Sequence, residues 1–147
     1  MEQPKIYYPA VLVAAVIHFA LGALWYSPVL FAPSWMEGNG LTMEMAAGIT
    51  GGRMAMMYGG TFVAFLVVYY VMAHFVFYTK ATNAMQGAQA GFWLWLGFVA
   101  TTLFVTITYV MKPYSVFFID AGYWLISMII GGILLAVWRK KDPKASA

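Results

Sequence analysis

Four long apolar segments, with charged residues only at their edges, constrain the fold of this chain more than any other feature. They lie at about residues 9–26, 58–79, 87–111 and 120–138. Each has about the 20 residues that a helix needs to cross a hydrocarbon core of about 30 Å. Backbone groups in lipid must pair within the segment, and a helix satisfies that need. We therefore predict an all-α integral membrane protein, a single domain over 1–147 with four transmembrane helices in a bundle.

The composition agrees with a chain whose solvent is the bilayer. Hydrophobic residues make up 63% and charged residues 9% of it, whereas soluble domains are about a quarter charged. The chain has no cysteine, which excludes disulfides and Cys-ligated metal centres. No nucleophile–base set and no phosphate-binding loop stands out, so we expect no enzymatic activity. We expect no nucleic-acid partner either, because the basic residues cluster at the end of the chain.

The charges around the four spans predict an orientation. With an even number of spans both termini lie on one side, which carries Lys5, Lys80 and a basic tail at 139–147. The opposite side carries only Arg53 and Lys112. The positive-inside rule then places both termini and the tail in the cytoplasm. A basic tail after an apolar helix also suits contact with anionic lipid headgroups.

The loop between the first two spans is predicted to face outward and to contain a short helix. Thr42 can cap a helix that starts at Met43 and Glu44, where a carboxylate favours the N-terminus. This loop is also rich in methionine, and thioethers select Cu(I), although methionine is equally an apolar filler. Copper handling is therefore a minor alternative, with Met43, Met45, Met54, Met56 and Met57 as candidate ligands.

The stretch LWYSPVLFAPSW at 24–35 predicts where the first span ends. Pro28 disfavours helix at Ser27, so the span should stop at Tyr26 or Ser27. Aromatic rings with a polar edge suit the membrane–water boundary. The residues that we assign to this boundary are Trp25, Tyr26, Ser27, Pro28, Trp35 and Asp120. Asp120 is predicted to cap the N-terminus of the fourth span.

Small and polar residues recur at helical spacing on each span and predict the packed faces. Such residues let helix backbones approach closely. The predicted faces are Ala15, His18, Gly22 and Tyr26 on the first span; Gly60, Ala64, Val67, Val71, His74 and Tyr78 on the second; Gly87 with Gly91, and Ala90, Gly97, Thr101 and Thr108, on the third; and Asp120, Trp124, Ser127 and Gly131 on the fourth.

Two histidines lie inside apolar segments, where an ionisable residue is a functional hypothesis by default. The alternative is a neutral imidazole bonded to a neighbouring helix. A haem held between them is disfavoured, because His18 lies roughly 14 Å and His74 roughly 6 Å from the inner boundary; we predict no cofactor. If a polar pathway exists, its candidate residues are His18, His74, Thr101, Thr102 and Ser127.

Several segments of the chain resemble a known family. They are LGALWYSP at 21–28, GLT at 40–42, WLGFVATT at 95–102 and AGY at 121–123. In this order and spacing they resemble small prokaryotic membrane proteins grouped as domain of unknown function 1761. The resemblance implies a four-helix protein of the prokaryotic plasma membrane, and it implies no reaction.

Two functions of different class follow from these features. The first is a non-enzymatic bundle that assembles with itself or serves as an accessory subunit of a larger membrane complex, as its small-residue faces suggest. The second is a transporter or channel for a small neutral or hydrophobic solute, which would use the intramembrane polar residues. The lipid bilayer is a partner in both.

Overall fold

The computed structural model describes residues 5–138 and confirms an all-α membrane fold with four helices long and apolar enough to cross a membrane. The elements are α1 (Tyr8–Trp25), α2 (Ala32–Gly38), α3 (Met43–Ala47), α4 (Gly51–Tyr78), α5 (Ala84–Leu94), a π-helical segment (Trp95–Ala100), α6 (Thr101–Tyr109) and α7 (Tyr114–Val137). The third span is continuous from Ala84 to Tyr109. The predicted basic tail at 139–147 lies outside the described residues.

The two ends of the bundle differ in what they carry. We call the end with residues 26–50 and 110–113 the loop end, and the end with residues 79–83 and the first described residues the terminal end. α7 is the central helix, since it packs against α1, α4 and α5. α4 also packs on α1 and α5, which completes the bundle.

The first span ends within one residue of the predicted position, Tyr26 or Ser27. α1 stops at Trp25, and the backbone N–H of Tyr26 donates to the carbonyl of Gly22 at 3.0 Å. The short helix in the loop is also confirmed: α3 starts at Met43, and the Thr42 hydroxyl accepts from the Met45 N–H at 3.2 Å. The loop contains a second short helix, α2, which the sequence analysis did not predict.

The prediction that Asp120 caps the fourth span is wrong. α7 begins at Tyr114, with Pro113 at its N-cap position, so Asp120 lies within the helix. Proline fixes φ near the helical value and is tolerated at the start of a helix, which explains the earlier start. The Asp120 side chain is therefore available to bond to other elements.

The tightest contact in the bundle joins α5 and α7 through glycine. A Cβ atom added to Gly87 would collide with the Gly132 carbonyl, and one added to Gly91 would collide with the Met128 carbonyl. Only residues without a side chain permit this approach of two backbones. The predicted pair Gly87 and Gly91 is therefore confirmed as a packing surface within one chain, although it packs on Met128 and Gly132 of α7 and not on the face predicted for that helix.

Beyond Ala90, the predicted face on the third span is wrong. Ala90 is buried, but Gly97, Thr101 and Thr108 are exposed, and the buried residues further along are Ala100 and Ile107. The π-helical segment between the two halves inserts wider turns, so it rotates the buried face after Trp95. A regular period of 3.6 residues cannot anticipate that rotation.

The predicted face of α4 is also wrong. The exposed residues include Gly60, Ala64, Val67, Val71 and Tyr78, and His74 is only half-buried. Larger side chains form the buried face instead: Phe65, Tyr69, Met72, Ala73 and Val76. The small residue in this contact belongs to α7: Gly131 leaves the space that the ring of Tyr69 occupies.

Candidate ligand-binding cleft

A cleft opens between the helices towards the loop end. Its volume is about 700 Å³, and residues of α1, α2, α4, α6 and α7 line it. Aromatic side chains dominate its walls: Phe19, Tyr26, Trp35, Tyr58, Phe65, Tyr123 and Trp124. Among the described residues that line it, Asp120 is the one that carries a charge. We call this space the loop-end cleft.

The cleft exists because α4 leaves the bundle as it approaches the loop end. Every residue from 51 to 61 is exposed, whereas Phe65 and Tyr69 are buried one and two turns further along. Met57, Tyr58 and Thr61 thus form one wall of the cleft. The bundle is closed near the terminal end by the α5–α7 contact and open at the loop end.

Asp120 is held by two aromatic donors that come from outside its own helix. The Tyr26 hydroxyl donates to Oδ1 at 2.7 Å, and the Trp35 indole N–H donates to the same oxygen at 2.9 Å. The two rings meet edge to face at 5.2 Å. Burial, and then the bond and charge of Asp120, raise the pKa of Tyr26, so its hydroxyl remains a donor.

A short chain of hydrogen bonds ties this carboxylate to the loop. Lys112 donates through Nζ to Asn39 Oδ1, and Asn39 Nδ2 donates to the Trp35 carbonyl at 2.8 Å. Trp35 then donates to Asp120. Lys112 also lies close enough to act electrostatically on the carboxylate. These contacts fix α2 against the loop end of α7 and so hold the mouth of the cleft.

Behind the floor of the cleft, His18 is fully buried in a shell of aromatic rings. Its imidazole stacks on Phe65 at 3.9 Å, meets Trp124 edge to face at 4.7 Å and lies 4.8 Å from the ring of Tyr123. Phe65, Tyr123 and Trp124 line the cleft as well. The histidine therefore supports the inner wall of the cleft without lining it.

The polar atoms of His18 are only partly paired. Nδ1 lies 3.2 Å from the Tyr69 hydroxyl, which donates to the Ser127 carbonyl at 2.9 Å. The Tyr123 hydroxyl donates to the His18 carbonyl at 2.9 Å. Within residues 5–138, the buried atoms His18 Nε2 and Ser127 Oγ have no hydrogen-bond partner. The site thus joins α1, α4 and α7 through side chains.

The structure brings together only part of the predicted polar pathway. His18 and Ser127 meet through Tyr69, but His74 bonds to the Tyr70 carbonyl of its own helix at 2.8 Å. Thr101 and Thr102 are exposed, and their hydroxyls donate to carbonyls one turn back, those of Gly97 and Phe98. Such bonds satisfy polar groups locally, so these three residues form no pathway with His18.

The predicted boundary residues converge more closely than the sequence indicated. Trp25 donates through its indole N–H to the Ile119 carbonyl at 3.0 Å, and Trp95 donates in the same way to the Ala121 carbonyl at 2.9 Å. Three of the segments that carry the family resemblance therefore meet at residues 119–123 of α7. Ser27 is half-buried and Pro28 is exposed at the turn that follows α1.

Two glycines permit this convergence. A Cβ on Gly22 would lie 2.7 Å from the Tyr123 hydroxyl, and a Cβ on Gly122 would lie 3.3 Å from the Trp25 ring. Each glycine thus accommodates an aromatic side chain from the other helix. The sequence patterns did not identify Tyr69, Tyr123 or the aromatic shell around His18 as parts of a site. The signal that would have found them is the pair of aromatic residues one turn apart on α4, Phe65 and Tyr69.

The candidate copper ligands are exposed on α3 and the first turns of α4: Met43, Met45, Met54, Met56 and Met57. Met57 also lines the cleft. Copper binding by these residues stays a prediction. Over residues 5–138, no group of three or more His, Cys, Asp or Glu side chains is placed to hold a metal ion. What the cleft offers chemically is aromatic surface, a carboxylate and hydroxyl groups.

Among the comparisons with known proteins, the one with family models gave a match. A family model described as "Protein of unknown function (DUF1761)" matches residues 9–136, which is most of the chain. Neither the curated proteins nor the solved structures gave a match. The matched range contains the loop-end cleft, the His18 shell and nearly all of the four spans.

Proposed function

The chain belongs to the family described as "Protein of unknown function (DUF1761)", and because that description assigns no activity, we propose from the geometry that it is a non-enzymatic membrane protein that binds a small solute in the loop-end cleft. The observation that carries the proposal is the cleft itself, with a volume of about 700 Å³ between the helices. Small-molecule sites are concave, mostly apolar, about 300–1,000 Å³ in volume and provided with a few polar groups.

The residues around the cleft support binding better than chemistry. The charged group among the described lining residues, Asp120, is already fixed by Tyr26 and Trp35. A general acid or base needs a reacting partner within hydrogen-bond reach, and the remaining walls are mainly aromatic. The rigid attachment of the carboxylate suits recognition, because a fixed polar group orients a ligand at little entropic cost.

We further propose that the loop end faces the outside of a prokaryotic plasma membrane and that both termini lie in the cytoplasm. The basic residues Lys5 and Lys80 at the terminal end support this orientation through the positive-inside rule. In that orientation the cleft receives its solute from the external medium. Binding is then the first step of uptake or sensing.

Cysteine accessibility tests both parts of the proposal, because the natural chain has no cysteine. Thr61→Cys places a thiol in the cleft, and Val63→Cys places one on the same helix outside it. We expect a membrane-impermeant maleimide to label the thiol at position 61 in intact cells and to leave the thiol at position 63 unmodified, since thiols need water to ionise. A thiol at position 61 that stays unreactive after lysis as well, in folded protein, would show a dry or lipid-filled cleft and overturn the proposal.

Two further variants test the orientation independently. Ser34 is exposed in the loop and Thr82 is exposed at the terminal end. We expect Ser34→Cys to react in intact cells and Thr82→Cys to react only after lysis. Reaction of Thr82→Cys in intact cells, with Ser34→Cys reacting only after lysis, would show the opposite topology, with the cleft on the cytoplasmic side.

Self-assembly, or service as a subunit of a larger membrane complex, stays a prediction of the sequence analysis. Its motivation was the small-residue faces, and several of those glycines pack within one chain, as Gly87, Gly91 and Gly131 do. Native mass spectrometry of protein released from mild detergent tests it directly. A strict monomer without a co-purifying partner would contradict it.

A further inference from the structure

We propose that the loop-end cleft selects an organic cation, with the ammonium group of the ligand held by Asp120 and the surrounding aromatic rings. This inference rests on the proposed function, since it names the class of solute that the cleft binds. Three features carry it: the direction of the hydrogen bonds at the carboxylate, the aromatic walls and the restraint on the nearest basic side chain.

The first feature is the direction of the hydrogen bonds at Asp120. Tyr26 and Trp35 both donate to Oδ1, which leaves Oδ2 without a hydrogen-bond donor among residues 5–138 and free to meet a ligand in the cleft that Asp120 lines. The two donors on Oδ1 favour the ionised form and offset part of the cost of burying it. A neutral solute without a hydrogen-bond donor would remove water from Oδ2 without replacing its hydrogen bonds, which is unfavourable. A cation replaces that water with an opposite charge.

The second feature is the composition of the walls. Tyr26 and Trp35 line the cleft next to the carboxylate to which they donate, so a cation bound there would lie beside their rings. Tyr123 and Trp124 continue the aromatic surface along α7. Ring faces attract cations within about 6 Å of their centroids, and aromatic surfaces are a recurrent means of recognising quaternary ammonium groups. An anion would instead be repelled by the carboxylate.

The third feature is the position of Lys112, the basic side chain that acts on Asp120. Its Nζ donates to Asn39 Oδ1, a residue of the loop. Lys112 is not among the residues that line the cleft. The lysine therefore reduces the negative potential at Asp120 without occupying the position beside Oδ2. Its removal should strengthen the binding of a cation.

A matched pair of ligands separates charge from shape. Choline and 3,3-dimethylbutan-1-ol have nearly the same shape, and only choline is charged. Protein with Thr61→Cys in dodecyl maltoside, a detergent without ammonium groups, is labelled with maleimide in the presence of either compound. We expect choline to protect the introduced thiol at a concentration roughly tenfold or more below that of the alcohol. Benzyltrimethylammonium, with its larger apolar part, should protect at a lower concentration still.

Two variants assign the charge selectivity to Asp120. Asp120→Asn retains an oxygen that accepts from Tyr26 and Trp35, and it should remove the difference between choline and the alcohol. The control, Glu37→Gln, removes a carboxylate from the same end of the protein outside the cleft, and it should preserve that difference. Should Asp120→Asn fail to fold, Lys112→Gln supplies an independent test, because it should lower the protective concentration of choline several-fold.

The outcomes distinguish this inference from the proposed function. Equal protection by choline and the alcohol overturns cation selection and leaves a solute-binding cleft in place. Protection by neither ammonium compound also overturns it. A thiol at position 61 that never reacts with maleimide instead overturns the proposed function itself.

The headgroups of some phospholipids also carry an ammonium group. One further experiment distinguishes a lipid headgroup from a free organic cation. Native mass spectrometry with added phosphatidylethanolamine or phosphatidylglycerol shows whether an ammonium lipid is retained. Retention of phosphatidylethanolamine that choline displaces supports the inference and assigns the site to a headgroup. Binding of choline without retained lipid supports it and assigns the site to a free cation.

Discussion

The Tyr69 hydroxyl lies between two polar atoms, 2.9 Å from the Ser127 carbonyl oxygen and 3.2 Å from His18 Nδ1. A phenol has one proton to donate. The Ser127 carbonyl can only accept and makes the shorter contact, so the Tyr69 hydroxyl donates to it. His18 must then donate through Nδ1–H to the Tyr69 oxygen. Because a proton on Nε2 would have no partner among residues 5–138, we expect the histidine to be neutral, with the proton on Nδ1 and an unshared electron pair on Nε2.

The first prediction follows from this arrangement. The imidazole of His18 should give the ¹⁵N chemical shifts of a neutral ring with a protonated Nδ1, and His74→Asn removes the signals of the second histidine. The physical reason is that Nε2 has no partner within residues 5–138, so a proton placed there would be a buried, unpaired donor. Shifts of the Nε2–H tautomer would show that the Tyr69 proton points to the histidine instead.

Tyr69→Phe should lower the free energy of unfolding by about 1–3 kcal/mol, because it leaves the buried His18 N–H without an acceptor. The matched control is Tyr70→Phe, which removes a hydroxyl from an exposed residue of the same helix. Thermal or denaturant unfolding in nanodiscs measures both variants. Equal stability of the two variants would contradict the role given to Tyr69.

Ser127→Ala should leave stability unchanged or raise it slightly. The hydroxyl is buried and has no hydrogen-bond partner in the described part of the chain, and removing an unsatisfied buried group relieves its desolvation cost. The Ser127 carbonyl still accepts from Tyr69 in this variant. A loss of stability comparable to that of Tyr69→Phe would mean that the hydroxyl is bonded, for example to buried water.

Gly91→Ala should destabilise the fold, because its Cβ would collide with the Met128 carbonyl and force α5 away from α7. Overpacking of this kind costs about 1–3 kcal/mol. Gly60→Ala is the control, since a Cβ there meets nothing within 4 Å and alanine favours helix over glycine. Unfolding of both variants under the same conditions gives the comparison, and a tolerated Gly91→Ala would contradict the close approach of the two helices.

The Tyr26 hydroxyl should resist ionisation in the folded protein. Burial and the bond to Asp120 raise the pKa of Tyr26 above its ordinary value of about 10. The folded state therefore binds this proton more tightly than the unfolded chain does. The resulting stabilisation is complete below about pH 10 and is lost as pH rises above that value towards the folded pKa.

Absorbance at the phenolate band measures this effect. The difference between wild type and Tyr26→Phe should show no phenolate step near the ordinary tyrosine pKa while the protein is folded. The step should appear there in the unfolded chains, which serve as the internal control. A step at the ordinary pKa in the folded proteins would contradict the burial of this hydroxyl.

The sequence predicted two of the four helix faces well. On α1, Ala15 and His18 are buried and Gly22 faces Tyr123; on α7, Ser127 and Gly131 are buried. On these two helices several of the predicted small and polar residues belong to the buried face. On α4 they do not, since larger side chains form the buried face and the glycines face outward.

The candidate site was predicted only in part for a related reason. Trp25, Tyr26, Trp35 and Asp120 were identified as boundary residues, but nothing in their spacing indicated that Tyr26 and Trp35 would bond to Asp120. Those bonds join residues 94 and 85 positions apart. Their formation depends on α2, which orients Trp35, and on the start of α7 at Tyr114.

The sequence by itself determined that four uncharged apolar segments become helices, because backbone groups in lipid have few other means of pairing. It also determined the end of the first span, because Pro28 disfavours helix at Ser27. Only the tertiary structure decided which side of each helix is buried, where the π-helical segment turns the third span, and that an aromatic cleft opens beside Asp120. The physical reason is that a helix in lipid is apolar on every side. A soluble helix is polar on the side that faces water and apolar on the side that faces the core, and this difference is absent in lipid. Which side of a membrane helix is buried therefore depends on close packing between residues that are distant in the sequence.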